Sequence, residues 1–180
     1  MVSTMSSSTM EDIAATASGP RWFQLYCYRD RAVTRRFVER AEAAGYQAIC
    51  LTVDLPRVGR RERDLRNAFH LPPGVRPRNF DKHLEVAGLG DESAGKAFAE
   101  YIHGLVDPSL TWEAVDWLRV QTELPVLLKG ILSPEDARLA VEHGVAGIVV
   151  SNHGGRQLDT VPATIDVLAG ITDAVGGRLE

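Results

Sequence analysis

The chain has 180 residues, 44% hydrophobic and 24% charged, with a formal net charge of −4. That is enough chain, at ordinary globular composition, for one domain with a real core. The acidic balance argues against non-specific nucleic-acid binding, and no apolar run approaches the roughly 20 residues of a bilayer span. The first 17 residues, MVSTMSSSTMEDIAATA, lack the basic and apolar regions of a signal peptide.

Strand and helix signals then alternate. Met1–Ser3 is strand-like. Ser8 with Glu11 forms a capping-box pattern for a helix to about Thr16. Trp22–Tyr28 reads as a strand, Asp30 as the cap of a helix over Arg31–Ala44, and Gly45 as its stop. Gln47–Val53 is the next strand. Leu55–Leu110 is a long polar insertion with possible short helices, and loops of that length are usually functional lids or disordered. Thr111 precedes a helix over Trp112–Thr122, and Pro125–Lys129 is a short buried strand. Ser133 with Pro134, Glu135 and Asp136 is a strong helix start, closed at His143–Gly144. Gly147–Ser151 is a strand and Pro162–Val175 the last helix. Repeated strand–helix units predict a parallel sheet with right-handed crossovers. Cys27 and Cys50 lie in apolar strand segments and read as buried free thiols of a reducing, cytoplasmic protein. No cysteine or histidine cluster has metal-ligand spacing, so no metal is expected.

The C-terminal edges of the strands concentrate the chemistry. They carry Ser3; Gln24 and Tyr26; Thr52 and Asp54; Lys129; and, in the stretch SNHGGRQLD, Ser151, His153 and Arg156. Residues two apart on a strand share a face. An imidazole and a guanidinium fork held at a strand end suit a small carboxylate substrate with an abstractable proton. In an α/β barrel, chemistry sits at this edge. The run RVGRRERDLR (Arg57–Arg66) is interleaved with Glu62 and Asp64, which disfavours a nucleic-acid role. His143 suits a helix C-terminus. Trp112 and Trp117 read as core-facing, while His70, His83 and His103 receive no role.

FQLYCYRDR (Phe23–Arg31), LTVDLPRVGRRERDLRNAF (Leu51–Phe69), LPVLLKGI (Leu124–Ile131) and GIVVSNHGGRQLD (Gly147–Asp159) together closely resemble the FMN-dependent 2-hydroxy-acid oxidases and dehydrogenases. The resemblance implies an FMN-binding (β/α)₈ barrel, of which this chain would hold about strands two to six of eight. It implies that Ser3, Gln24 and Thr52 hydrogen-bond the flavin ring, that Lys129 sits where reduction places negative charge, and that Ser151 lies beside the ribityl chain. His153 would be the base, with Asp54 fixing its tautomer. Tyr26 would hydrogen-bond the substrate hydroxyl, and Arg156 and Arg61 would bind the carboxylate. Met5 would help shape the pocket around the substrate side chain.

The implied reaction is oxidation of an (S)-2-hydroxy acid to a 2-oxo acid, with electrons passed to oxygen or another acceptor. Homo-oligomers are implied for the full-length protein. Strands and the phosphate-binding segment of that barrel are expected to lie outside this chain. The alternative expectation is therefore an inactive fragment, or a complementing half-barrel that does not bind FMN alone. A flavin barrel acting on nucleotides or isoprenoid diphosphates is disfavoured by the combination of Tyr26, His153 and Arg156.

Overall fold

The computed structural model describes residues 1–16, 18–56, 59–80 and 104–180. Five strands, β1 (Val2–Ser3), β2 (Trp22–Leu25), β3 (Ala48–Thr52), β4 (Val126–Ile131) and β5 (Gly147–Val150), form one sheet in the order β1-β2-β3-β4-β5. Every pairing is parallel. Between them run α1 (Met10–Thr16), α2 (Arg31–Ala43), α3 (Glu62–Arg66), a 3₁₀ turn (Arg78–Phe80), α4 (Trp112–Arg119) and α5 (Pro134–Glu142), and α6 (Thr164–Val175) follows β5. Sequential strands that neighbour one another in parallel, each joined through a helix, are the topology of a barrel wall.

Strand alternation divides the apolar residues. Phe23, Leu25, Ile49, Leu51, Val126 and Leu128 face outward into the main core, against Phe37 and Val38 of α2, Val115 and Leu118 of α4, and Ala137 and Ala140 of α5. Ala48, Cys50 and Leu127, with Val149 beside them, form a separate small cluster on the other face. That inner cluster is the floor beneath the functional strand ends. Cys27 and Cys50 are free and buried.

Local signals set the helix starts, with instructive exceptions. Asp30 accepts a hydrogen bond from the Ala32 amide at 2.8 Å, and the Ser133 hydroxyl accepts from Asp136 at 3.0 Å. The first helix starts one residue later than the Ser8 pattern suggests, because Thr9 Oγ1 accepts from the Asp12 amide at 3.1 Å. Thr111 makes no side-chain cap. β2 stops at Leu25, short of Tyr28, because a returning segment takes the next backbone groups: Asp107 N donates to Cys27 O and Arg29 N to Leu105 O, both at 2.9 Å. Arg31 clamps that segment, bonding Asp107 at 2.7 Å and the Tyr28 carbonyl at 2.8 Å. β4 runs past Lys129 to Ile131, with a register irregularity between them. The last residue already pairs beside β5, since Ile148 N donates to Glu180 O at 3.0 Å. Of the long insertion, residues 57–58 and 81–103 lie outside the described residues, and with them His83 and His103.

Candidate active site

Inner-face alternation, together with the turn after β5, brings six of the sequence-predicted residues to one place. A cleft of about 250 Å³ is lined by Ser3, Gln24, Tyr26, Thr52, Lys129 and His153, together with Met1. A larger hollow of about 680 Å³ lies beyond Asp54, where Arg60, Asn152, Gln157 and Asp159 share the walls with Val53, Leu132, Leu158 and Val161. The smaller cleft is the one that gathers the predicted flavin-facing groups Ser3, Gln24, Thr52 and Lys129 with Tyr26 and His153.

Gln24 is the hub of one wall. Its Oε1 accepts from the Thr4 amide at 3.2 Å and from Ser3 Oγ at 3.4 Å, and its Nε2 donates to Thr52 Oγ1 at 2.9 Å. A backbone N–H can only donate, so the Thr4 bond fixes which end of the amide is which. Thr4 in turn bonds the Gln24 carbonyl through its own hydroxyl. Lys129 stands opposite Thr52 in the ladder. Among the described residues it has no ion-pair partner, which leaves its ammonium available to a ligand.

The opposite wall is the SNHGG turn. His153 adopts a left-handed backbone, φ +57°, a conformation that needs external support in a non-glycine residue. Ser151 Oγ supplies it by accepting from the His153 amide at 3.0 Å, and Asn152 Oδ1 accepts from the amides of Gly154 and Gly155 at 3.1 and 3.3 Å. The strained turn presents the imidazole to Asp54, where Nδ1 lies 2.8 Å from Oδ1. An ionised carboxylate only accepts, so Nδ1 carries the proton, and in the neutral imidazole Nε2 keeps its lone pair. Both side chains are largely buried, 19% and 11% exposed.

Tyr26 shares this environment. Burial pushes its hydroxyl up from the ordinary tyrosine value, the Asp54 charge adds to that, and the Arg61 guanidinium acts against both. It therefore stays protonated, a donor, at neutral pH.

The two arginines are placed differently. Arg61 precedes α3, close enough to act on Tyr26 electrostatically, and its Nε is buried with no hydrogen-bond partner among the described residues. Arg156 is half-exposed, 3.6 Å from Asp64, and does not line the cleft. Its loop is knitted to the insertion, where Gly59 N donates to Gln157 Oε1 at 2.9 Å. Met5 packs against the core and is not in the lining. Trp112, half-buried, stacks on His143 with centroids 4.9 Å apart, and His143 also meets Asp116 at 2.7 Å; this cluster belongs to the helical layer.

Sequence reasoning passed over several residues that build the site. Asn152 was findable, since Asn before His-Gly-Gly is a turn pattern. Asn79 was not: it is 3% exposed, accepts from the Met10 amide at 2.8 Å and donates to Thr4 O at 3.1 Å and Ser3 O at 3.4 Å. It thereby holds the loop that follows β1, whose amide and hydroxyl orient Gln24.

Comparison with known proteins finds relatives along the whole chain. Glycolate oxidase 5 of Oryza sativa subsp. japonica is 50% identical over 178 residues, 99% of this chain and 48% of that protein. 2-Hydroxyacid oxidase 1 of Mus musculus is 50% identical over 184 residues, 100% of this chain and 49% of that protein. A mandelate oxidase structure with (S)-4-hydroxymandelic acid superposes with a TM-score of 0.87 at 48% identity, over 99% of this chain and 49% of that one. This chain thus spans about half the length of the relatives it matches. Residues 1–180 match the FMN-dependent dehydrogenase family throughout, and the chain belongs to that family.

Proposed function

We propose that the protein carrying this chain oxidises a small (S)-2-hydroxy acid to the 2-oxo acid with FMN as its cofactor. The observation that carries the reading is the convergence of Ser3, Gln24, Tyr26, Thr52, Lys129 and His153 on one cleft, with Asp54 behind the imidazole. The donor set fits a flavin. An amide of fixed orientation, two hydroxyls and an ammonium with no ion-pair partner among the described residues suit a planar ring edged with carbonyls and ring nitrogens. Ser3, Gln24 and Thr52 would hold that ring and Ser151 its side chain. Lys129 would stand where negative charge develops. When bound, FMN supplies the two-electron acceptor for the alcohol carbon.

The remaining work falls to this chain's side chains. His153 Nε2 is the free imidazole nitrogen and takes the proton released from the substrate, whether it comes from C2 or from the hydroxyl. Asp54 holds Nδ1 and stabilises the imidazolium that results. Tyr26, kept neutral by its burial, donates to the substrate hydroxyl oxygen. Arg61, whose buried Nε has no partner among the described residues, anchors the carboxylate, and Arg156 joins it once released from Asp64. Oxygen or another acceptor then takes the electrons. The two buried, unbridged thiols support a reducing, cytoplasmic setting.

Titration with FMN, followed by quenching of flavin fluorescence, is the first test, and anaerobic bleaching of the bound flavin by glycolate or lactate is the second. His153→Gln should retain FMN and slow bleaching by about 10²–10⁴-fold. Bleaching at the unaltered rate removes His153 from the role of base. Failure of the 180-residue chain to take up FMN would mean that it carries the reacting side chains without a complete cofactor site.

A further inference from the structure

We infer that Gly130 is a positioning residue for the Asp54–His153 pair: the missing side chain at this one position of β4 decides where the Asp54 carboxylate rests. The inference builds on the reading of His153 as the base.

The backbone brings the two positions together. Val53 N donates to Lys129 O at 2.9 Å, so residues 53–54 run beside residues 129–130. At this point β4 departs from regular pairing, with a register shift between Lys129 and Ile131, and Gly130 has φ +115°. L-residues rarely adopt that conformation, and bulges of this kind recur beside active sites, where they re-aim side chains. A Cβ built on Gly130 would lie 2.6 Å from Asp54 Cβ, 2.7 Å from Cγ and 2.9 Å from Oδ2. To regain ordinary contact the Cβ separation must grow from 2.6 to at least 3.4 Å, a displacement of about 0.8 Å.

Asp54 has little to resist such a push. Oδ1 is held by His153 at 2.8 Å, while Oδ2 is buried with no hydrogen-bond partner among the described residues. On the Oδ2 side no described residue bonds the carboxylate, and it rests in the space that Gly130 leaves. A shift of 0.8 Å takes a 2.8 Å hydrogen bond to the edge of its range or beyond. The imidazole then loses the acceptor that sets its tautomer. The bulge serves both neighbours, leaving Lys129 in the cleft while making room for Asp54 behind it.

The test uses the full FMN-loaded protein and its FMN-free form, with ¹⁵N-labelled histidine. It reads the hydrogen-bonded Nδ1–H proton of His153, assigned by its loss in His153→Gln, and the rate of flavin reduction by substrate. Gly130→Ala should fold, as read by circular dichroism, yet lose that resonance in both forms. Its flavin reduction should slow by about 10²-fold, and Gly130→Ala/Asp54→Asn should be no slower than Asp54→Asn alone. A retained resonance with a wild-type rate overturns the inference, as do effects of the two substitutions that multiply. If Gly130→Ala fails to fold, Gly130→Ala/Asp54→Gly removes the atoms it would strike. Recovery in that double variant supports the inference, and equal failure overturns it in favour of backbone strain alone. Wild-type reduction rates in both Asp54→Asn and His153→Gln would defeat the base assignment, while the resonance still judges Gly130 separately.

Discussion

Replacing Gln24 by Met keeps the length of the side chain and removes every polar contact it makes in the cleft wall. Gln24 is 7% exposed and Thr4 is fully buried. The Thr4 amide, 3.2 Å from Gln24 Oε1, would be left in the interior without an acceptor, at about 1–3 kcal/mol. Loss of the 2.9 Å bond to Thr52 Oγ1 adds about 1 kcal/mol. The 3.4 Å contact from Ser3 Oγ is long and contributes little. Together these give a destabilisation of about 2–4 kcal/mol. Gln24→Glu separates the terms. A carboxylate still accepts from Thr4 and Ser3, Thr52 can turn its hydroxyl to donate, and Lys129 lines the same cleft. Its expected cost is below about 1.5 kcal/mol. Urea unfolding followed by circular dichroism, with m-values compared to confirm a common denatured state, reads both numbers. A Gln24→Met protein within about 0.5 kcal/mol of wild type, or a Gln24→Glu protein as unstable as Gln24→Met, would refute the network as described.

Two further outcomes follow from buried groups near the site. Burial pushes the Cys50 thiol from 9.0 up to about 11, with the Lys129 charge and the N-terminal ammonium acting against it. The folded-state value is raised, so the unfolded chain ionises first. Stability is unaffected below pH 9 and falls as pH climbs from 9 towards 11, by roughly 3 kcal/mol for two pH units. The stability difference between wild type and Cys50→Ala should therefore narrow by that amount between pH 8.5 and 11.5; a gap that stays constant contradicts the assignment. Asn79→Ala removes the acceptor of the Met10 amide and the donor to the Thr4 and Ser3 carbonyls, for about 2–4 kcal/mol. Hydrogen exchange at the Met10 amide should accelerate by the corresponding factor, and unchanged protection there would remove Asn79 from its role as the anchor of the β1 loop.

Sequence alone determined the layout of the chain and most of the residues in its cleft, for reasons that are local. A period of two places Ser3, Gln24, Tyr26, Thr52 and Lys129 on one face of their strands, and Asp30 and Ser133 start helices with groups that lie within three residues of what they bind. The resemblance of four segments to one enzyme family added the roles. Tertiary structure decided what depends on distant chain. His153 and Asp54 are 99 positions apart, and no spacing rule joins them. The returning segment at residues 105–107 shortened β2 by claiming its backbone groups. Asn79, an unremarkable loop residue in sequence, became a buried anchor only because α1 and the β1 loop closed around it. Arg61 and Arg156 look equivalent as cations, yet one is set beside Tyr26 and the other beside Asp64. Gly130 looked like any glycine after a strand until packing put the Asp54 carboxylate where its side chain would be. Propensity and periodicity are properties of neighbours along the chain, whereas a site is made of atoms that only the folded backbone brings within hydrogen-bonding distance.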